Sequence, residues 1–531
     1  MTGHDLADSL STDTDSFLPV GVALLAPLLP FVAALMPGAS QGQDRARWVH
    51  GAALGSLMAA LGTAVLVGVQ GETRHSIFQV DALTAVMLLL VTFLGAVVSR
   101  YSCHYLAGDA GQNRFARWLG LTLCSVLTLI VSGNLLLFAV AWTGTSLSLH
   151  RLLTFYPDRR AALLAANKKF LFSRLGDLCL GGSVVLTWNA LGTWDFHEMF
   201  TAAGGLHPGE KAGVDFALIG FLLMFAALLK SAQFPFHSWL PDTMETPTPV
   251  SALMHAGIIN AGGFLVLRLS PLLVHIPAAL DVLAITGAFT ALFASVVMLT
   301  QTNVKRSLAY STIAQMGFMM LQCGLGAFAL AALHLVAHSL YKAHAFLSSG
   351  GVVALKKSAW TPKERAVAHP GILLGTLTAA VLMTVGMGLL FGIRVESDPG
   401  VLLLGAVFLM ALAHLFWSLW SANREFILLV YGLLAGAGAA ALYFGLHAVF
   451  EFLLAGVFPA HAPERSPLEI GVLVGVAALF LAVTVLQAQL PGWSGSRRMR
   501  VLYVHLANGA YLGTWANRLT SRIFQNASDT I

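Results

Sequence analysis

Residues 230–265 read KSAQFPFHSWLPDTMETPTPVSALMHAGIINAGGFL. An apolar run, Phe216–Leu229, ends in Lys230. Polar and charged residues then alternate with Pro235, Pro241, Pro247 and Pro249, and a second apolar helix with His255 inside it follows. Hydrocarbon tolerates such broken backbone only where protein or a water-filled cavity shelters the freed polar groups. A lysine at that depth is costly unless it is paired or does work. Inverted-repeat transporters place broken helices with ionisable groups at their ion sites. The alternative is a soluble loop between two ordinary spans.

The rest of the chain favours the membrane. Of 531 residues, 57% are hydrophobic and 10% charged, which is the composition of a polytopic membrane protein. No polar stretch is long enough for a separate soluble domain. The acidic N-terminus does not read as a cleaved signal peptide. Cys103, Cys124, Cys179 and Cys323 lie far apart, so neither an iron–sulfur ligand set nor a disulfide framework is indicated. There is no Walker A sequence and no dinucleotide fingerprint. These absences point to ion conduction without redox chemistry, enzyme activity or nucleic-acid binding.

Fifteen apolar segments of bilayer length fall near residues 17–36, 49–69, 82–98, 116–132, 135–155, 164–189, 214–234, 249–270, 280–299, 307–325, 327–354, 371–392, 400–420, 426–453 and 468–490. A basic, partly amphipathic tail follows over 497–531. The fold class is all-α. Loops after odd-numbered spans, with the tail, hold 22 of the Lys and Arg residues, including Lys168 and Lys169, and the opposite loops hold five, including Arg268. By the positive-inside rule the N-terminus lies outside and the C-terminus is cytoplasmic.

Arg174, Lys230, Lys342 and Asp177 fall inside spans, where a charge costs about 3 kcal/mol on insertion scales. Arg174 and Asp177 share a helix face at i and i+3. They read either as a self-neutralised structural pair or as a pair that tunes a nearby lysine. Lys230 has no acid within one turn of its own helix. A lysine taken out of water gives up its proton more readily, and a carboxylate that moves away releases it. His255 sits among small residues that allow close packing; it reads as a hydrogen-bonded core residue or as a relay. His334, His338 and Lys342 repeat every four residues and form one stripe, suited to a hydrated proton path. HxxxH also suits a metal, but no acidic third ligand stands nearby, so no metal is expected.

KSAQFPFHSWLPDTMETPTPVSALMHAG, QTNVKRSLAYSTIAQMGFM (301–319) and HLVAHSLYKAHAFLSSG (334–350) closely resemble the signature blocks of the antiporter-like subunits of respiratory complex I and the Mrp cation antiporters. VDALTAVMLLLVTFLGAVVSRYSCHYL and NKKFLFSRLGDL look most like the L-subunit branch. The resemblance covers roughly Phe78 to Leu355. It implies two inverted five-helix repeats with broken helices, here 116–273 and 279–421, after N-terminal helices in 1–115 and before C-terminal helices in 424–493. It carries proton-handling roles onto Lys230, His255, His334, His338 and Lys342, with Lys305 at a helix start.

Two losses stand out. The glutamate that the family pairs with the broken-helix lysine is replaced by Thr143, and span 12 has no ionisable group. The chain also stops soon after span 15. These departures, and LYVHLANGAYLGTWANRL (502–519), resemble a shortened branch, DabB. That branch implies a large soluble zinc-binding partner on the cytoplasmic side, DabA, and energy-coupled uptake of CO2 or bicarbonate across a bacterial inner membrane. The expectation is therefore a proton- or sodium-conducting subunit without cofactors of its own. The rival readings are a respiratory or Mrp-type pump subunit and a structural membrane anchor.

Overall fold

The computed structural model describes residues 3–37, 44–205, 214–351, 370–392, 426–459, 467–493 and 496–528, with fragments of 400–409. Most of the thirteenth expected span (400–420) and residues 352–369 and 421–425 lie outside the described residues.

The described residues are all-α apart from one hairpin. Helices α1 (Gly3–Leu35), α2 (Asp44–Gln70), α3 (Ala82–Tyr105), α4 (Gln112–Val131), α5 (Leu135–Leu153) and α6 (Arg160–Leu191) come first. Strands β1 (Thr73–His75) and β2 (Phe78–Val80) pair antiparallel between α2 and α3, with Arg74 opposite Gln79. A short α7 (Phe196–Gly204) precedes α8 (Val214–Lys230). Helices α9 (Trp239–Asp242), α10 (Thr248–Ala256), α11 (Ala261–Arg268) and α12 (Ser270–Leu273) are all short. Long helices resume with α13 (Pro277–Leu299), α14 (Val304–Gly324) and α15 (Phe328–Leu347), then α16 (Pro370–Leu390), α17 (Phe426–Leu453) and α18 (Pro467–Trp493). The tail forms α19 (Arg497–Ala507) and α20 (Leu512–Ser528).

Eight described segments are long and apolar enough to cross a membrane: those in α1, α2, α3, α4, α6, α13 and α17, and the stretch Thr248–Arg268 that holds α10 and α11; the described apolar parts of α16 and α18 are shorter. Helix α8 falls outside that set at 17 residues. Helices α5, α14 and α15 fall outside it because polar side chains lower their hydropathy, and those side chains build the interior site. Helices α13 and α14 touch backbone to backbone. A Cβ on Gly287 would collide with Leu321 N, and one on Gly317 with Ala291 N, so only glycine permits the approach.

Loops sort onto two faces. Phe78 bridges to Ser132, and Asn134 to Asp195, so the connections after α2, α4 and α6 meet. On the other face Arg45 donates to Asn113 O, Arg114 to Phe155 O and Arg159 to Glu245 O. Gln301 on that face donates to Ala507 O of the tail. The positive-inside pattern groups the same loops.

Three placements differ from the sequence reading. Lys168 and Lys169, counted with a loop, lie inside α6 and are buried. They fall within the 164–189 span, and no helix breaker separates them from Arg160. Arg268, counted with the opposite loops, is buried in an ion pair of 2.5 Å with Asp81, the N-cap of α3. The second apolar helix is interrupted at Gly257, between α10 and α11.

Candidate functional site

Helix α8 stops at Lys230 because the chain turns sharply there. Ala232 takes a left-handed φ of 50°, and Pro235 follows. The turn is sheltered by protein. Ser231 Oγ donates to Ile259 O at 2.8 Å, Gln233 Nε2 to Ser231 O at 2.8 Å, and Phe234 N to Thr290 Oγ1 at 3.0 Å. Gly262 packs against Ala227 O and Ser231 Oγ so closely that any Cβ would clash. Freed backbone groups are thus repaired by neighbours, as hydrocarbon requires.

Lys230 is buried, with Nζ 3.4 Å from Trp142 O and 4.2 Å from the centre of the Trp142 ring. A ring face and a carbonyl both favour an ammonium. The contact falls on the residue before Thr143. Helix α6 packs on α8 with Gly176 against Leu229, and the charge of the next residue, Asp177, reaches Lys230. Asp177 pairs with Arg174 at 2.6 Å, and its charge acts on both Lys230 and Lys169. Lys169 Nζ donates to Ser146 O at 3.1 Å and to Ser146 Oγ at 3.0 Å. Three basic side chains therefore share one carboxylate. Any movement of Asp177 changes the balance of the whole group.

A second group lies across the broken segment. Asn260 Nδ2 donates to Ser339 Oγ at 2.7 Å, which joins the break to α15. His255 meets Thr312 Oγ1 at 3.1 Å and stacks on Phe346 at 4.3 Å. Thr312 and Lys342 both donate to Leu308 O, at 3.1 and 3.2 Å, so His255 and Lys342 are linked through one carbonyl. His334 meets Gln322 Oε1 at 2.7 Å, and its ring lies 6.1 Å from that of His338. Both ring nitrogens of His338 are buried without a protein partner. A buried imidazole in that state is suited to ordered water.

The structure thus brings Lys230, Asp177 and Arg174 together, and His255, His334, His338 and Lys342 together. Lys305 stands apart at the start of α14, with Nζ 3.4 Å from Thr248 Oγ1. Sequence reasoning missed Lys169, Ser146 and Trp142. Asp81 and Asp281 are buried acids as well. The missed signal for Lys169 was its position in an unbroken helical stretch, eight residues before Asp177.

Comparison with known proteins agrees with this architecture. Residues 132–435 match the family described as NADH:quinone oxidoreductase/Mrp antiporter, TM, and residues 75–116 match the N-terminus of complex I chain 5. The chain is 39% identical to the probable inorganic carbon transporter subunit DabB2 of Halothiobacillus neapolitanus, over 95% of this chain and 94% of that protein. It is 41% identical to the probable subunit DabB of Hydrogenovibrio crunogenus, over 73% of this chain and 74% of that one. The NAD(P)H-quinone oxidoreductase chain 5 of Synechocystis sp. is 35% identical, over 62% of this chain and 53% of its own length. Among solved structures, a chain of the Mrp complex from Dietzia sp. DQ12-45-1b superposes with a TM-score of 0.62 at 23% identity. That match covers 96% of this chain but 60% of the solved one, and it speaks to fold alone.

Proposed function

We propose that this chain, which belongs to the NADH:quinone oxidoreductase/Mrp antiporter family of membrane subunits, passes protons or sodium ions inward through its buried lysines and histidines. That movement drives uptake of inorganic carbon. The observation that carries the reading is the pair of buried groups, Asp177–Lys230–Lys169 and His255–Lys342–His338, on either side of a broken segment that is tied to the Lys230 turn through Ser231 and Ile259 O and to α15 through Asn260 and Ser339. Burying so many ionisable side chains in a membrane interior is costly for an anchor and useful to an ion path.

Likeness to DabB2 along nearly the whole chain supports inorganic carbon as the coupled cargo. The partner in this reading is a large, soluble, zinc-binding DabA-like subunit. It docks on the face that carries the tail, which is cytoplasmic, and the N-terminus lies outside. The partner hydrates CO2, and this chain supplies the energy. Helices within 116–273 and 279–421 form the two inverted repeats, and Lys230, His255, Lys305, His334, His338 and Lys342 line the path. Affinity purification from membranes tests the partnership: a large zinc protein should co-purify, and CO2-dependent uptake should require both. Recovery of quinone-reductase subunits instead would favour the respiratory reading.

A further inference from the structure

Two adjacent lysines on α6 face different surroundings. Lys169 belongs to the group around Lys230. Lys168 points away from it and pairs with Asp242 at 2.5 Å. The Lys168 side chain is fully buried, while that of Asp242 is 31% exposed. Asp242 lines a cavity of about 380 Å³ on the face that carries the tail, together with Glu245, Asn303, Arg306 and Asn517. The charges of Lys168 and Asp242 both reach His237, whose Nδ1 is buried without a partner. Arg306 and Tyr310 face the pair from α14, and Arg159 is held on Glu245 O.

A buried ion pair with one partner open to a cavity joins interior to surface, and a purely structural staple has no need of that opening. Span 12, the counterpart of α8 in the second expected repeat, has no ionisable side chain. The tail completes the cavity wall. Helix α20 packs along α6 and the turn at 236–238. It is joined to α19 by Gly509, Ala510 and Tyr511, all with positive φ (57°, 52° and 61°). Two of those three are not glycine, and such strain persists only where surrounding structure enforces it. Gly509 sits against the Tyr310 hydroxyl, where a Cβ would intrude.

We propose that Lys168 and Asp242 form the point at which the ion path opens onto the tail-bearing face, with the C-terminal helix as one wall of that opening. In this scheme Asp242 takes up a proton from water in the cavity. Lys168, left as an unpaired buried cation, passes its own proton inward by way of His237, whose buried Nδ1 is without a partner. The Asp242 proton then moves to Lys168 and restores the pair. Run in reverse, the same steps deliver a proton to the cavity.

This inference rests on the ion-conducting reading, and the test separates the two. The complex with its partner is placed in liposomes with CO2 and bicarbonate, and ion flux is followed with an internal pH dye and with radioactive sodium. Asn517→Cys is then labelled with a bulky disulfide-forming reagent, which plugs the cavity after folding. Flux should fall about 100-fold, the scale of losing a proton-transfer group, and return on reduction. Parent protein given the same reagent should be unaffected. The double variant Lys168→Gln/Asp242→Asn, which leaves no unpaired charge, should lose flux to the same extent at equal abundance. Normal flux with the label complete, or in the double variant, overturns the opening while leaving ion conduction standing. A parent complex that moves neither ion overturns both.

Discussion

Helices α8 and α16 hold the same place in the two expected repeats, and they have been built for different work. Helix α8 ends on buried Lys230 and gives way to a turn repaired by Ser231, Gln233 and Thr290. Helix α16 runs unbroken from Pro370 to Leu390 and contains no ionisable residue. Leu374, Leu382 and Leu390 stand out to the surroundings, while Thr384 is buried and donates to Ala380 O within its own helix. The contrast shows what maintains a helix break in a membrane. Freed backbone groups need partners, and the polar side chains that supply them are the ones that hold the lysine. Where the lysine is gone, the helix is continuous.

Substitutions in the two regions sharpen that contrast. The largest effects belong to the α8 side. Lys230→Ala and His338→Leu should each reduce ion-dependent uptake about 100-fold or more at equal abundance, as for loss of a proton-transfer group. Uptake at the parent level in either variant would make that side chain a packing residue.

The next effect is on stability. Asp81→Asn leaves Arg268 buried without its counter-charge, and removing one partner of a buried pair costs about 3–5 kcal/mol. Thermal unfolding in detergent should show this loss, while transport per folded molecule stays near the parent value. Lost transport at full stability would move the Asp81–Arg268 pair into the ion path. The smallest effect belongs to α16: Thr384→Val should leave uptake within about twofold, a change of ~0.5 kcal/mol. A large loss there would show that the second region still conducts.

Much of this was legible in the sequence for identifiable reasons. Lys230 announces itself because a lysine that follows fourteen apolar residues and precedes a proline-broken segment is costly in a membrane unless it is paired or does work. The stripe of His334, His338 and Lys342 is visible because a helix places every fourth residue on one face. The partners were harder. Asp177 comes within electrostatic reach of Lys230 because Gly176 packs on Leu229, a tertiary contact between separate helices. Lys168 and Lys169 read as loop charges by residue type, yet each finds its own partner inside, Asp242 and Ser146. Arg268 was misplaced for the same reason: charge counting along a chain does not see ion pairs between distant segments. The interruption at Gly257 lies between apolar residues that read equally well as one continuous helix.

We propose that Asp177 has taken over part of the tuning role of the glutamate lost at Thr143, shared with its helix neighbour Arg174. The charge of Asp177 reaches Lys230 without forming an ion pair with it, and Lys230 reaches the carbonyl of Trp142. The most direct test is the pH dependence of ion-driven uptake in Asp177→Asn, compared with the parent at matched expression. If the carboxylate holds the proton on Lys230, the profile should move to lower pH by about one unit, the scale set by one nearby opposite charge. Adding Thr143→Glu to that variant should move it back. A profile for Asp177→Asn that overlays the parent would contradict the account and leave Lys230 working without a carboxylate partner.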